Sequence, residues 1–136
     1  MGTALRIRQA VLDDLFAHAR EEVPNECCGL LIGAPDLLTR AARARNVRAS
    51  PTRYLVDPAD HFAAIRLARA EGLSVIGAYH SHPASGPMPS DTDIAEATSP
   101  TFVYLIVSPG GEAPGAVRAF YLASGQAHPI ELVAVT

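Results

Sequence analysis

Lysine is absent from this chain of 136 residues, so all eleven of its basic residues are arginine. Any mechanism that depends on a catalytic lysine is therefore excluded. Acidic residues outnumber basic ones by 14 to 11, which gives a formal net charge of −3. Proteins that bind nucleic acid or an anionic membrane carry basic patches, and this charge balance points to neither class of partner.

Cysteine is almost as scarce. The two cysteines, Cys27 and Cys28, are adjacent. Adjacent residues of a strand point to opposite faces, so a disulfide between these two would be strained. No Cys-x-x-Cys spacing is present, and burial in an apolar strand raises the pKa of a thiol, which favours packing over metal binding or nucleophilic attack. Two reduced thiols indicate a reducing compartment.

Long apolar runs are also missing. The apolar runs at residues 27–33 and 102–107 are far too short to span a bilayer. The N-terminus lacks the basic start and long apolar stretch of a signal peptide, and Asp13 and Asp14 interrupt its first apolar segment. We therefore expect a cytoplasmic protein without a membrane role. The length is that of one domain, residues 1–136, whose 49% apolar content suffices for a core without metal staples.

Apolar periodicity predicts helices inserted between strands, followed by a run of strands, which is a mixed α/β pattern. Strands are expected at residues 5–8, 27–33, 37–47, 73–79, 101–107, 116–123 and 130–135. A first helix carries Val11 to Ala19 and ends near Val23-Pro24. A second begins at Asp57-Pro58, a capping aspartate followed by proline, and stops at Gly72. A third, short helix is capped by Ser90 and contains Asp93.

Two histidines follow the predicted strand 73–79 directly. His80 and His82 are two residues apart, so on an extended strand they point to the same face with Cα atoms roughly 6.5 to 7 Å apart. Two imidazoles at that separation can bind one ion. Pro83 ends strand pairing, which leaves this end of the strand open to substrate. The pair alone is weak evidence for a metal site.

Asp93 strengthens the metal hypothesis, since it lies eleven residues beyond His82 near the start of the third helix. The intervening loop contains Gly86 and Pro87 and can turn the chain back toward the histidines. The alternative role for Asp93 is a carboxylate that meets the helix macrodipole, a role for which Asp91 is the better candidate. Three protein ligands leave a fourth position for water, as in catalytic zinc sites.

Zinc hydrolysis also needs a group that takes a proton from water and delivers it to the leaving amine. Glu26 precedes the predicted buried strand 27–33, where the backbone is expected to be fixed, although a glutamate in such a place is commonly a surface residue. Glu21 and Glu22 are alternatives that fall on the end of the first helix and are expected to be solvated.

Some polar residues receive no function. His18 and His61 are expected on helix surfaces, and His128 in a turn before Pro129. We interpret the basic cluster as a solvated face, with a docking patch for an acidic partner as the alternative. The cluster consists of Arg40, Arg43, Arg45, Arg48 and Arg53.

Together these residues resemble the signature of the JAMM (MPN+) metalloproteases. That signature is a distant glutamate, His-Ser/Thr-His, seven residues that usually begin with proline, and Ser-x-x-Asp. Here it corresponds to Glu26, His80-Ser81-His82, seven residues beginning with Pro83, and Ser90 with Asp93 three residues later. The surroundings of Glu26 also resemble the short bacterial members, and the resemblance covers about residues 22 to 98.

The resemblance implies a fold like that of the cytidine deaminases, with helices packed around a curved mixed sheet. It implies that His80, His82 and Asp93 bind zinc. It further implies that Glu26 deprotonates the water at the metal, and that Ser90 hydrogen-bonds the oxyanion, unless Ser90 serves only as the helix cap.

The implied substrate is a ubiquitin-like or sulfur-carrier protein, cut after its C-terminal Gly-Gly. Only ten residues separate His82 from Asp93, and no long insertion follows, which argues against specificity for polyubiquitin. An extended carrier tail can pair with a strand edge beside the site. The leaving group, the identity of the carrier and the oligomeric state are left open by the sequence.

Two other functions are weighed against hydrolysis. A catalytically silent MPN interaction module that keeps zinc is disfavoured because such modules typically lose the glutamate or a metal ligand. A metal-dependent deaminase would need His-x-Glu and Pro-Cys-x-x-Cys, and neither is present.

Overall fold

The computed structural model of the protein describes residues 4–110 and 115–136. Within these ranges it contains three helices and eight strands. In chain order they are β1 (Leu5–Arg8), α1 (Gln9–Glu22), β2 (Cys28–Ala34), β3 (Leu37–Ala44), α2 (Pro58–Ala70), β4 (Ser74–Ser81), α3 (Asp91–Glu96), β5 (Val103–Ser108), β6 (Ala116–Ala123), β7 (Gln126–Ile130) and β8 (Leu132–Val135). No helix in the described ranges has the length and apolarity needed to cross a membrane.

All eight strands belong to one mixed sheet in the order β7-β6-β5-β4-β2-β3-β1-β8. β1 runs parallel to β3 and β8, and β4 runs parallel to β5, whereas the other neighbours are antiparallel. β7 and β8 lie at opposite ends of this order but are joined by one residue, Glu131. The sheet therefore curls until its two ends meet, which confirms the expected curved mixed sheet.

Strand residues alternate between the two faces of the sheet, so both faces carry apolar side chains. A helix covers the apolar side chains on each face. On one face, α1 buries Val11 and Leu15 against a cluster that includes Tyr79. On the other, α2 buries Ala64 and Ala68. Cys27 belongs to the first cluster and Cys28 to the second, and both are free thiols, as predicted.

The ends of α2 follow the predicted chemistry. Asp57 accepts a hydrogen bond from the backbone N–H of Ala59 at 2.9 Å, and Pro58 occupies the first turn. Gly72 follows the helix with a φ of +69°, a conformation that glycine adopts without strain. The start and stop of α2 are therefore determined locally.

Three strand predictions needed correction. The strand predicted at 37–47 ends at Ala44. β4 extends through His80 and Ser81, so the first histidine lies inside the strand. The predicted strand 130–135 is divided into β7 and β8, and the expected turn at His128 is instead part of β7. Pro129 is tolerated there because, among the described strands, β7 pairs on one side only, with β6, and such an edge position does not need the missing N–H.

Candidate metal centre

The two motif histidines are held by the centre of the sheet. His80 pairs with Cys28 of β2 on one side and Ile106 of β5 on the other, and its side chain is fully buried. His82 follows the last residue of β4, where its backbone N–H donates to the carbonyl of Val107 at 2.9 Å. Backbone pairing on both sides of β4 therefore fixes the spacing of the two imidazoles.

Asp93 is brought to the histidines by a capping box at the start of α3. The Ser90 Oγ accepts from the backbone N–H of Asp93 at 3.0 Å, and the Ser90 N–H donates to Asp93 Oδ2 at 2.9 Å. This reciprocal pair satisfies two free donors of the helix end and orients the carboxylate. Asp91, the other acidic residue of the turn, is exposed, so Asp93 is the carboxylate directed inward.

Three side-chain groups converge on one point. His80 Nε2 lies 3.2 Å from His82 Nε2 and 3.2 Å from Asp93 Oδ1, and His82 Nε2 lies 2.9 Å from Asp93 Oδ2. Ligands bound tetrahedrally at about 2.0 to 2.1 Å from zinc are separated by roughly 3.3 Å. The observed separations are close to that value, so the donor set fits a zinc ion with a fourth position open.

The hydrogen bond on the far side of His82 gives an independent reason for a cation. His82 Nδ1 donates to the carbonyl of Gly86 at 3.0 Å, and a carbonyl can only accept. A neutral His82 therefore directs an unprotonated Nε2 toward the Asp93 carboxylate. Two lone pairs at that separation repel unless a positive charge lies between them. Although burial alone lowers the pKa of His82, its hydrogen bonds with Asp93 and with the Gly86 carbonyl raise it, so a proton on Nε2 can supply this charge. A metal ion can supply it from the same position.

The charges of the three groups suit the same role. Although burial alone raises the pKa of Asp93, its hydrogen bonds with His80 and His82 hold that pKa well below the usual range. Burial lowers the pKa of His80 despite its contact with Asp93. Asp93 and His80 thus have the protonation states in which each binds a metal, whereas the raised pKa of His82 means that a metal ion would compete with a proton there.

Glu26 lies in the same buried region and is only 3% exposed. Its backbone N–H donates to the Ser50 carbonyl at 2.9 Å, and its own carbonyl accepts from Asn46 Nδ2 at 3.1 Å. Burial raises the pKa of its carboxyl to about 7, even though His82 acts in the opposite direction. Among the described residues Oε1 has no hydrogen-bond partner, so it is available to a small molecule.

Three supporting residues were not singled out from the sequence. The Ser81 Oγ accepts from the Cys27 N–H at 2.8 Å, and the Ser81 N–H donates to the Cys27 carbonyl at 3.1 Å. These bonds tie the residue after Glu26 to the strand that carries the histidines. The Tyr54 ring stacks on His80 with centroids 4.3 Å apart, and Asn46 anchors Glu26. Of these three residues, only Ser81 could have been singled out from the sequence, because it lies between the two histidines.

Other histidines and glutamates considered in the sequence analysis are not among the three converging groups. The expectation that His18 is a surface residue is wrong: it is buried, with Nδ1 2.7 Å from the hydroxyl of Tyr79. His61 is partly buried and borders a cavity. Glu21 is exposed and accepts from Arg43 at 3.0 Å, as expected for a solvated residue. Sequence reasoning placed His18 on the helix surface because its partner Tyr79 on β4 is 61 residues away in the chain.

The cysteines and arginines contribute no ligands to this cluster. Burial raises the pKa of Cys27 to about 11 and that of Cys28 to about 12, so neither is a thiolate at neutral pH. Each of the five clustered arginines pairs with a carboxylate at the surface, where single ion pairs add little stability. The pairs are Arg40–Glu71, Arg43–Asp14, Arg43–Glu21, Arg45–Asp57, Arg48–Glu96 and Arg53–Glu96.

Residues 8–123 match the model of a family described as prokaryotic homologues of the JAB domain. A desampylase of Haloferax volcanii is 41% identical over 106 residues, covering 73% of this chain and 76% of the relative. A probable TtuB-protein conjugate cleaving protease of Thermus thermophilus is 37% identical over 126 residues, covering 92% and 80%. A CysO-cysteine peptidase of Mycobacterium tuberculosis is 35% identical over 106 residues, covering 76% and 73%.

Solved structures match over nearly the whole chain. A solution structure from Desulfitobacterium hafniense superimposes with a TM-score of 0.89 at 29% identity, covering 96% of this chain and 92% of the other. A JAB1/MPN domain protein of Archaeoglobus fulgidus has a TM-score of 0.66 at 19% identity, with coverage of 98% and 100%. The second match shows a shared fold.

Proposed function

This chain belongs to the family of prokaryotic homologues of the JAB domain, the short prokaryotic branch of the JAMM peptidases, and we propose that it hydrolyses conjugates of a ubiquitin-like or sulfur-carrier protein. The bond cut is the one after the carrier's C-terminal Gly-Gly. The observation that carries the proposal is the convergence of His80, His82 and Asp93 within 3.2 Å, in the same buried region as a glutamate with a free oxygen.

In this proposal His80, His82 and Asp93 hold a zinc ion. When bound, zinc supplies Lewis acidity that favours ionised water and polarises a carbonyl oxygen at neutral pH. Two imidazoles and one carboxylate with an open position suit zinc among the divalent ions. The Gly86 carbonyl orients the His82 ring through Nδ1, and the Ser90 N–H orients the Asp93 carboxylate through Oδ2.

Glu26 acts as the general base. Its carboxylate takes a proton from the attacking water and then delivers that proton to the leaving amine. Both transfers need a pKa near the working pH, and burial places that of Glu26 at about 7. The Ser81 bonds to Cys27 and the Asn46 bond to the Glu26 carbonyl keep the base in register with the histidines.

Ser90 stabilises the oxyanion that develops on the scissile carbonyl. Its Oγ already accepts from the Asp93 N–H, as the helix-cap alternative requires, and this leaves its O–H free to donate elsewhere. One hydroxyl can therefore cap α3 and serve the reaction. A donor fixed by the cap needs little reorganisation when charge develops.

The names of the relatives support the substrate class. Those proteins are described as a desampylase, a protease that cleaves TtuB–protein conjugates and a CysO-cysteine peptidase. In this chain the loop between His82 and α3 is short, which favours a small conjugate over linked ubiquitin chains. The two free, buried cysteines are consistent with the cytoplasmic location that we propose.

The alternative is a silent interaction module that binds zinc without catalysis. Such a module needs the three ligands but not a buried carboxyl beside them. Retaining Glu26 without a hydrogen-bond partner for Oε1 costs stability, because a buried polar atom loses its contact with water. A cost of this kind is expected for a base used in chemistry, so the hydrolase is favoured.

The test is a cleavage assay on CysO and TtuB, the proteins named in two of the relatives, each extended beyond its C-terminus. Wild-type protein and Glu26→Gln are compared with zinc content measured in both. We expect the wild type to release the extension and the zinc-loaded variant to be about a thousandfold slower. Equal rates would remove Glu26 from the mechanism, and binding without cleavage by either protein would favour the silent module.

A further inference from the structure

The two histidines of the metal centre differ in how their rings are oriented. The ring plane of a histidine is only weakly set by its own side-chain torsion, so neighbouring atoms must fix it. His82 has such a neighbour, because its Nδ1 donates to the Gly86 carbonyl at 3.0 Å. The corresponding Nδ1 of His80 is buried and has no hydrogen-bond partner among the described residues. The orientation of His80 therefore has to come from a contact of another kind.

An aromatic ring supplies this contact. The Tyr54 ring lies nearly parallel to the His80 imidazole, with centroids 4.3 Å apart and planes at 16° to each other. Rotation of the imidazole out of its plane would bring it against the Tyr54 ring. Tyr54 also lines a cavity of about 440 Å³ that borders Asp93, so it contacts both a metal ligand and the space beside the metal centre.

The backbone on both sides of Tyr54 is held by one side chain, that of Asn46. Asn46 Nδ2 donates to the Arg53 carbonyl at 3.0 Å, and Asn46 Oδ1 accepts from the Leu55 N–H at 3.0 Å. Because the same Nδ2 also donates to the Glu26 carbonyl at 3.1 Å, one amide holds both the glutamate and the ring that stacks on the metal ligand. The position of the Tyr54 ring is therefore set by the same contacts that anchor Glu26.

We infer that Tyr54 is a positioning residue for the metal: its ring holds the His80 imidazole in the plane in which Nε2 faces the other two ligands. The inference rests on the proposed function, which assigns a zinc ion to this cluster. A ligand that is held in place before the ion arrives loses less freedom on binding, and this strengthens binding.

The ring of Tyr54, and not its hydroxyl, has this role. The hydroxyl makes no hydrogen bond within the described ranges, and burial raises the pKa of the phenol, which is therefore neutral at neutral pH. A phenylalanine at this position would keep the stacked ring. An aliphatic residue would fill part of the space but would leave the imidazole plane unsupported.

The test measures metal binding without substrate in the wild type, Tyr54→Phe and Tyr54→Leu. Competition with a chromophoric chelator gives the zinc affinity, and visible absorption of the cobalt(II)-substituted proteins reports the geometry of the ligands. We expect Tyr54→Leu to bind zinc about tenfold more weakly and to shift the cobalt bands, because the imidazole plane is no longer fixed. Tyr54→Phe should match the wild type in both measurements.

Phe102→Leu is the matched control. Phe102 lines the same cavity, but its ring lies beside Tyr104 instead of a metal ligand. The substitution removes an aromatic ring from the cavity wall and should keep the zinc affinity within about twofold, with an unchanged cobalt spectrum, since no ligand depends on that ring. If Tyr54→Leu does not fold, Tyr54→Met replaces it with the same expected loss, because methionine fills the space without a ring plane.

A wild-type zinc affinity and cobalt spectrum in Tyr54→Leu would overturn the inference. Equal losses in Tyr54→Leu and Phe102→Leu, an equal loss in Tyr54→Phe, or no metal binding by the wild type would overturn it as well. Because these measurements contain no substrate, a failure to cleave carrier conjugates counts separately, against the proposed function.

Discussion

Two buried histidines lie on opposite faces of the sheet at β4, one packed against the strand and one within it. His18 of α1 contacts Tyr79, and His80 is the next residue of β4. Burial lowers the pKa of both imidazoles. His18 is only 6% exposed and His80 is fully buried, so the two are nearly matched in burial but not in their neighbours.

The difference lies in how the polar atoms are satisfied. His18 hydrogen-bonds one hydroxyl at 2.7 Å, that of Tyr79, which belongs to the apolar cluster under α1. His80 Nε2 faces both His82 and Asp93, and its Nδ1 has no partner among the described residues. Burial of a histidine therefore does not by itself mark a site. A site is marked instead by several groups that converge and compete for one positive charge.

Exchanging each histidine for alanine should separate the two environments most strongly. We expect His80→Ala to weaken zinc binding by at least about a hundredfold and to abolish hydrolysis, since it removes a ligand rather than a supporting group. His18→Ala should leave zinc affinity within about twofold, because nothing near it binds the metal. Competition with a chromophoric chelator measures both affinities. An unchanged zinc affinity in His80→Ala would mean that His80 is no more involved in metal binding than His18.

Ser90 sharpens the comparison, since its hydroxyl has both a structural and a proposed chemical role. Ser90→Ala should lower kcat by about a hundredfold through loss of an oxyanion donor. It should also lower the free energy of unfolding by about 1 kcal/mol through loss of the cap. Ser90→Thr retains a hydroxyl and should recover most of both. If Ser90→Ala affects stability alone, Ser90 is only a helix cap.

Substitution of His18 should change the free energy of unfolding instead of the activity. His18→Ala leaves the Tyr79 hydroxyl buried without its partner, which we expect to cost about 1 to 3 kcal/mol in the free energy of unfolding. The zinc-loaded variant should keep wild-type kcat below its melting temperature. Urea titration and steady-state rates on one preparation check both. A large fall in kcat at full zinc content would show that His18 also affects the reaction on the opposite face of the sheet, which contradicts its purely structural role.

The smallest expected effect is the pH dependence of stability due to Glu26. Burial raises its pKa in the folded protein from an ordinary 4.5 to about 7. The folded state thus favours the protonated carboxyl, and this stabilisation is complete below pH 4.5 and is lost as pH rises through about 7. In metal-free protein, Glu26→Gln should therefore raise the melting temperature more at pH 8 than at pH 5, by about 5 °C. An equal difference at both values would contradict the raised pKa.

Local patterns were enough to predict most elements and to find the three side chains that converge, His80, His82 and Asp93. The two-residue spacing of His80 and His82 and the cap at Ser90 both have direct physical causes in strand and helix geometry. The buried position of Glu26 was not visible, because it depends on Ser50 and Asn46, which reach it from a distant loop. His18 was misplaced for the same reason: its partner is 61 residues away.

The curl of the sheet was likewise outside local reasoning. The curl arises because β7 pairs with β6 at one end of the strand order and β8 pairs with β1 at the other, although only Glu131 separates β7 from β8 in the chain. Pro129 also concealed β7, since a proline usually argues against a strand. The family resemblance supplied the curved sheet that periodicity alone did not.

The most direct test of the account is zinc K-edge X-ray absorption on the wild-type protein. We predict one zinc per chain with only nitrogen and oxygen ligands at about 2.0 to 2.1 Å, and with the outer-shell scattering of two imidazoles. Cys28 is the strand partner of His80, so its thiol is the rival ligand that this measurement tests. A sulfur ligand at about 2.3 Å, or fewer than two imidazoles, would contradict the His80, His82 and Asp93 centre.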